Sequence, residues 1–255
     1  MKLTVLGGAA AGGNTGQGCA GYLIQHKAMS VVLDLGPGTL LELRQHVDYR
    51  SLTAVVISHY HVDHILDLGA LRFLLRYNPV PTRHKIPLWI PPGARERFAL
   101  WTAVFGAEDE GEFLEDVFQI EEYDPGSSLT LGSLAITFAP TVHWVPCWAM
   151  RIAAGTGRDI GYTADTGHEA DLAGFFDGVS LLVSEATDYA APTDSTFRGH
   201  LSAAEAGTLA RDAAVGALMI THLWEENDID HSALKASEAF GKPVIVARPG
   251  VTVSV

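Results

Sequence analysis

The chain carries two cysteines, Cys19 and Cys147, among 255 residues. That excludes a disulfide framework and points to a reducing compartment, so a cytoplasmic protein is expected. Basic residues are also scarce, with 17 Lys and Arg against 30 Asp and Glu for a net charge of −13. Neither a Lys/Arg run nor basic–aromatic interleaving occurs, and an acidic surface opposes accumulation of a polyanion through its phosphates. Binding of a long nucleic acid is therefore not expected. Apolar runs are short, none reaching the roughly 18–20 uninterrupted residues of a membrane span, so no membrane insertion is expected. Met1-Lys2 leads straight into strand-like Leu3-Thr4-Val5-Leu6, which leaves no signal peptide. Gly8 to Gly18 is rich in Gly, Ala and Asn but lacks Gly-Lys-Ser/Thr, and reads as a flexible loop rather than a phosphate-binding P-loop.

Histidine is present in unusual density. The run His59-Tyr60-His61-Val62-Asp63-His64 follows the apolar stretch Ala54-Val55-Val56-Ile57. A metal ion explains such a cluster economically, because neutral imidazole and carboxylate are the ligands that borderline cations such as zinc prefer. His59 and His61 alternate, so in an extended segment they face one side and can clasp one ion. Asp63 and His64 come as the chain turns into apolar Ile65 to Leu75, and face a second position. The pattern His-x-His-x-Asp-His resembles the signature of the metallo-β-lactamase-fold hydrolases.

The remainder of such a site would lie where a His or Asp directly follows a short apolar strand, since a sheet end holds a ligand rigidly. His143 follows Leu134-Ala135-Ile136-Thr137-Phe138 by a short connection, Asp165 follows Ile160-Gly161-Tyr162-Thr163-Ala164, and His222 ends Ala217-Leu218-Met219-Ile220-Thr221. Alone, His143 would pass for a packed histidine and Asp165 for a turn or cap residue. Their joint order and common placement lift them above that. The chain thus offers His59, His61, Asp63, His64, His143, Asp165 and His222, enough for two metals sharing one carboxylate. His26, His46, His84, His168 and His231 lack such placement and read as surface or structural residues.

A second constellation narrows the chemistry. Ser184-Glu185-Ala186-Thr187 follows an apolar run, and Gly199-His200-Leu201-Ser202 precedes an Ala-rich helix in which Ser202 and Glu205 form a capping box. Together with Leu6-Gly7-Gly8, Asp34-Leu35-Gly36-Pro37-Gly38 and Pro249-Gly250, these segments resemble ribonuclease Z and its relatives. The resemblance implies that His200 assists phosphodiester cleavage without holding metal; otherwise it would be a capping or packing histidine. Two departures stand out. Val62 occupies a position where that family usually has Gly, and only 22 residues separate His143 from Asp165 (165 minus 143). That interval leaves no room for the long arm with which ribonuclease Z grips transfer RNA, so the chain looks like a short form.

Strands are expected near 3–7, 20–24, 29–34, 54–58, 86–90, 134–138, 148–152, 159–163, 180–184, 217–221 and 244–247. Helices are expected near 65–76, 93–105, 202–214 and 231–240. Glu108-Asp109-Glu110 reads as a solvated loop, and Phe113, Leu114, Val117 and Phe118 have helical spacing suited to core packing. The fold class that the resemblance implies is α/β, an αββα sandwich of two central mixed sheets flanked by helices. Ligands drawn from both halves favour a single domain over residues 1–255.

The expected activity is that of a dinuclear metal-dependent hydrolase acting on a small phosphodiester. The implied cofactors are two divalent cations per chain, zinc first, with manganese or iron as alternatives. His59, His61 and His143 would hold one, Asp63, His64 and His222 the other, and Asp165 would bridge, together lowering the pKa of a shared water. Asp63 would also orient or deprotonate the nucleophile, His200 would protonate the leaving oxygen, and Glu185 would orient a ligand imidazole. A lactone, thioester or other acyl hydrolase using the same centre is the competing reading. A redox role would need iron and usually a fused flavin domain, for which little sequence remains after His222. Cys147, close to His143 in sequence, needs no role beyond that of a small buried hydrophobe. The oligomeric state is open, a homodimer included.

Overall fold

Apolar runs such as Val31-Val32-Leu33 and Leu181-Leu182-Val183 show no polar alternation, because the strands they form are covered on both faces. The computed structural model describes residues 1–82, 84–105, 113–155, 157–190 and 197–255. Its elements in chain order begin with β1 (Lys2–Gly7), β2 (Gly21–His26), β3 (Met29–Leu35), α1 (Thr39–His46), β4 (Ala54–Val56), α2 (Val62–Ile65) and α3 (Asp67–Tyr77). There follow β5 (Ile86–Ile90), α4 (Arg95–Thr102), β6 (Phe118–Glu122), β7 (Leu129–Leu131), β8 (Leu134–Pro140), β9 (Trp148–Ala153) and β10 (Ile160–Tyr162). The last are β11 (Leu181–Glu185), α5 (Ala203–Asp212), β12 (Ala217–Thr221), α6 (Ile229–Phe240), β13 (Ile245–Val246) and β14 (Thr252–Ser254).

The strands form two seven-stranded sheets, in the orders β14-β1-β2-β3-β4-β5-β6 and β13-β12-β11-β10-β9-β8-β7. Each is mixed: β1 to β3 and β7 to β10 pair antiparallel, whereas β3 to β6 and β10 to β13 pair parallel. The sheets bury one another through Val5, Tyr22, Leu33 and Val56 on one side and Ile136, Met150, Tyr162, Val183 and Met219 on the other. On the outer face of the first sheet, Leu43 of α1, Leu68 and Leu71 of α3 and Phe98 of α4 cover Leu23, Val32, Val55 and Leu88. On the second, Ala206 and Ala210 of α5 and Ala236 of α6 cover Leu182, Leu218 and Ile220. This is the αββα sandwich expected from the sequence.

Several local expectations change. The helix expected from 65 is α3, which begins at Asp67, and a separate short helix α2 precedes it, so Asp63 and His64 lie in a helical turn with extended His61 as its N-cap. Strand β4 stops at Val56, leaving His59 in the loop beyond it. Phe118 opens strand β6 instead of closing a helix, because its backbone pairs with Ile86; Phe113, Leu114 and Val117 pack in the outer core beside it. Glu108-Asp109-Glu110 lies outside the described residues. The loop from Gly8 to Gly18 is tied down: Ala10 N–H and Asn14 Nδ2 donate to Leu223 O, and Gln17 Nε2 donates to Ala247 O. The capping box forms, with Ser202 Oγ accepting from Glu205 N–H. No helix among the described residues is long and apolar enough to cross a membrane.

Candidate metal centre

The ends of strands from both sheets meet at one place. His59 follows β4, His143 follows β8, Asp165 follows β10 and His222 follows β12, while α2 brings Asp63 and His64 alongside. All seven sequence-selected donors converge there in two clusters that share Asp165: His59, His61, His143 and Asp165, and Asp63, His64, Asp165 and His222. In the first, His61 Nδ1 lies 3.1 Å from His59 Nε2 and 3.0 Å from His143 Nε2, and Asp165 Oδ2 is 3.7 Å from both of those Nε2 atoms. In the second, His64 Nε2 is 3.4 Å from Asp165 Oδ1 and 3.6 Å from Asp63 Oδ2, and His222 Nε2 is 3.1 Å from Asp63 Oδ2 and 3.6 Å from Asp165 Oδ2.

The surrounding hydrogen bonds decide which nitrogen is bare in four of the five donor rings. His143 Nδ1 donates to Gly199 O at 2.9 Å, since a carbonyl can only accept. Ser58 Oγ donates to Asp34 Oδ2 and so accepts from His59 Nδ1 at 3.0 Å. His64 Nδ1 donates to Asp34 Oδ2 at 2.8 Å. Thr187 Oγ1 donates to Glu185 Oε2 and accepts from His222 Nδ1 at 2.7 Å. Four rings are thereby set with the Nε2 lone pair facing inward, the outer-shell arrangement that prepares histidine for a cation. Among the described residues, buried His64 Nε2 has no hydrogen-bond partner. Edges of 3.0–3.7 Å bracket the about 3.4 Å edge of a tetrahedron with ~2.1 Å bonds. The donor set fits divalent cations.

Electrostatics divide the donor histidines. Burial holds His59, His61 and His143 below the ordinary imidazole range, which keeps them neutral and able to ligate. Burial alone would raise the Asp165 carboxyl, but His222, His64 and His59 around it outweigh that and hold it well below the usual range. Burial opposes charge on His64, yet Asp165 and Asp34 drive its pKa well upward. Cation binding at its Nε2 would release that proton.

His200 lies beside the two clusters and forms a third group of close donor atoms with Glu185 and His222. Its ring is 5.2 Å from His143 and 5.4 Å from His222, and its Nδ1 donates to Glu185 Oε1 at 2.9 Å. Nε2 has no protein partner among the described residues. Burial would lower its pKa, but the Glu185 carboxylate, then Asp165 and Asp188, raise it to about 9. Glu185 itself is buried and also accepts from Thr166 N–H at 2.7 Å. It therefore orients His200 directly and His222 through Thr187.

A family model described as a β-lactamase superfamily domain matches residues 30–223, a span holding every donor just named. The chain belongs to the β-lactamase superfamily. Among relatives, it is 33% identical over 252 residues to a probable metallo-hydrolase, YhfI of Bacillus subtilis, covering 98% of each chain. The crystal structure of YhfI superposes with a TM-score of 0.88 over 99% of this chain and 98% of that one. A ribonuclease Z of Methanopyrus kandleri is 24% identical over 92% of this chain and 91% of its own. The short form of human tRNase Z shares the fold, with a TM-score of 0.76 at 18% identity over 100% of this chain and 99% of that one.

Sequence reasoning passed over the residue that organises this superfamily site. Asp34, fully buried at the end of β3, accepts from Ser58 N–H, Ser58 Oγ, His64 Nδ1 and Tyr162 Oη at 2.7–2.8 Å. It ends the apolar run Val31-Val32-Leu33 just as Asp165 ends its own, a signal that the strand-end criterion contained. Asp34, Ala164 and His222 all adopt positive φ, between 50° and 55°, a costly backbone for side-chain-bearing residues that aims ligands and gathers at functional sites. Gly36 is required nearby, because a Cβ there would overlap Asp63 O.

Proposed function

We propose that the protein is a metallo-hydrolase of the superfamily, with two divalent cations, zinc foremost, and that it cleaves a small phosphodiester. His59, His61 and His143 would hold one cation, Asp63, His64 and His222 the other, and Asp165 both. Bound there, the cations supply Lewis-acid polarisation of a phosphoryl oxygen and acidify water at neutral pH. The observation that carries the diester reading is His200: its Nδ1 is committed to Glu185, and its ring lies against His143 and His222.

The chain's own residues then divide the work. Asp63, with an oxygen 3.1 Å from His222 Nε2, orients the attacking oxygen and accepts its proton. His200 carries a proton on Nε2 and delivers it to the departing alkoxide, general acid work that contributes roughly 10²–10⁴-fold. Carbonyl substrates such as lactones and thioesters have the same use for the cations but make less demand on an acid beside the leaving oxygen. Two buried unpaired thiols suit a cytoplasmic setting, and donors drawn from both sheets suit a single domain.

A panel of bis-p-nitrophenyl phosphate, 2′,3′-cyclic nucleotides, lactones and thioesters tests the reading. Diesters should be turned over with the higher kcat/KM. Faster turnover of lactones or thioesters would transfer the protein to the acyl hydrolases. Precursor transfer RNA, added as a long substrate, should be bound weakly and cut far more slowly than a small diester, since the net charge of −13 repels it.

A further inference from the structure

Trp144 and Phe197 are large apolar side chains left 58% and 51% exposed at the edge of the donor clusters. Their rings meet edge to face at 5.8 Å. The Trp144 ring lies 5.0 Å from that of His143 and 5.3 Å from that of His200, centroid to centroid, so it borders both a donor and the neighbouring acid. It is also closely seated. Gly199 lies directly beneath it, where a Cβ would overlap the indole and come within 2.9 Å of His143 Nδ1. The Gly199 carbonyl is the group that accepts from His143, so one glycine seats the ligand and the indole together.

An indole left 58% exposed buries little surface for the fold, and exposed apolar surface beside a polar site marks binding. A single face flanked by a second ring suits a flat, polarisable ring better than a flexible chain, which needs walls on several sides. We infer that Trp144, backed by Phe197, is a specificity-determining platform that stacks on a planar ring carried by the substrate next to its phosphoryl group. The inference deepens the phosphodiester reading and rests on it for the group to which the ring is attached. Two sources share this chemistry: a nucleoside base, set one sugar away from phosphorus, and an aryl group esterified directly to it.

Equilibrium binding to the metal-loaded protein tests the platform without turnover. AMP is compared with ribose 5-phosphate, and phenyl phosphate with methyl phosphate, so that each pair differs by the ring. The ring-bearing member of at least one pair should bind about 5- to 150-fold tighter, the ratio equivalent to ~1–3 kcal/mol of stacking. A preference confined to AMP assigns the ring to a base, and one for phenyl phosphate to a direct aryl ester. Trp144→Ala should bring that ratio to within about twofold, Trp144→Phe should keep much of it, and Phe197→Ala should lose a smaller part. Metal content measured in parallel reports whether each variant keeps its donors. Equal affinities within both pairs, or a ratio unchanged by Trp144→Ala, would overturn the inference. Ring preference in a protein that hydrolyses no diester would sink the proposed reaction and leave the platform standing. Diester hydrolysis with no ring preference would do the reverse.

Discussion

Asp34 and His64 share a 2.8 Å hydrogen bond between two side chains that solvent does not reach. Three further donors converge on the same carboxylate, from Ser58 N–H, Ser58 Oγ and Tyr162 Oη. An acceptor so saturated fixes the proton of His64 on Nδ1, and through Ser58 that of His59 as well. One aspartate that need not touch a cation sets the tautomer of a ligand in each cluster.

Asp34→Asn tests this directly. Asn tolerates the positive φ of 55° found here, so the backbone should survive the change. The amide offers donors where a carboxylate only accepted, and His64 can then carry its proton on the inward nitrogen. Metal affinity should fall about 10–100-fold, measured by competition with a chelator. Unaltered affinity in a folded variant would show that the tautomers need no such guard.

Metal content is the second expectation. Purified after metal-replete expression, the protein should carry close to two ions per chain by elemental analysis, because both clusters are complete. Asp165→Ala should lose most of both, since Asp165 belongs to each. One ion or none in the wild type would reduce the centre to a mononuclear site.

His200→Ala should keep its metals yet lose about 10²–10⁴-fold in rate on diesters with poor leaving groups. The loss should shrink for p-nitrophenolate, which leaves with little need of a proton. The sign of the pH dependence follows from the raised pKa. The imidazolium is present below about 9 and lost above it, so the rate should fall on the alkaline side near that value. Glu185→Gln removes the carboxylate that does most to raise it, and the alkaline limb should move to lower pH. A limb that stays in place would assign it to another group.

The strand-end rule made the centre legible, because a ligand's position in sequence survives folding when it sits where a short strand stops. His143, Asp165 and His222 were visible for that reason, the run from His59 to His64 for its density, and the Ser202–Glu205 box for its fixed spacing. Asp34 obeyed the rule but had no visible use. That use arises only when β3 and β4 lie parallel and bring Ser58 beside it, 24 residues on. Helix α1 was missed because Glu42, Arg44, Gln45 and His46 crowd it with polar groups. Strands β6, β7 and β14 were missed because they lie at sheet edges with much of their surface exposed, and so lack the apolar runs of central strands.

Neither cysteine should react with a thiol reagent in the folded state. Burial, with Asp63 adding to it, pushes the Cys19 thiol up to about 11, and burial drives Cys147 well above its ordinary value. Thiolate, the reactive form, is therefore nearly absent at pH 8. Titration with a chromogenic disulfide should find no fast thiol until denaturant is added. Rapid modification of the native protein would show that the loop around Cys19 opens.

Asp63 and His222, 3.1 Å apart in space, are 159 positions apart along the chain. An ion grasping both is a removable cross-link, closing a loop longer than most disulfides close while leaving the thiols out of it. Like any cross-link it acts against the unfolded chain, but its strength is set by solution composition, since an ion that binds only the native state adds about 2.7 kcal/mol when free metal is 100 times its Kd. The durability of this protein would accordingly be shared between its residues and its surroundings, bound metal adding to the apolar contact that already joins the two sheets.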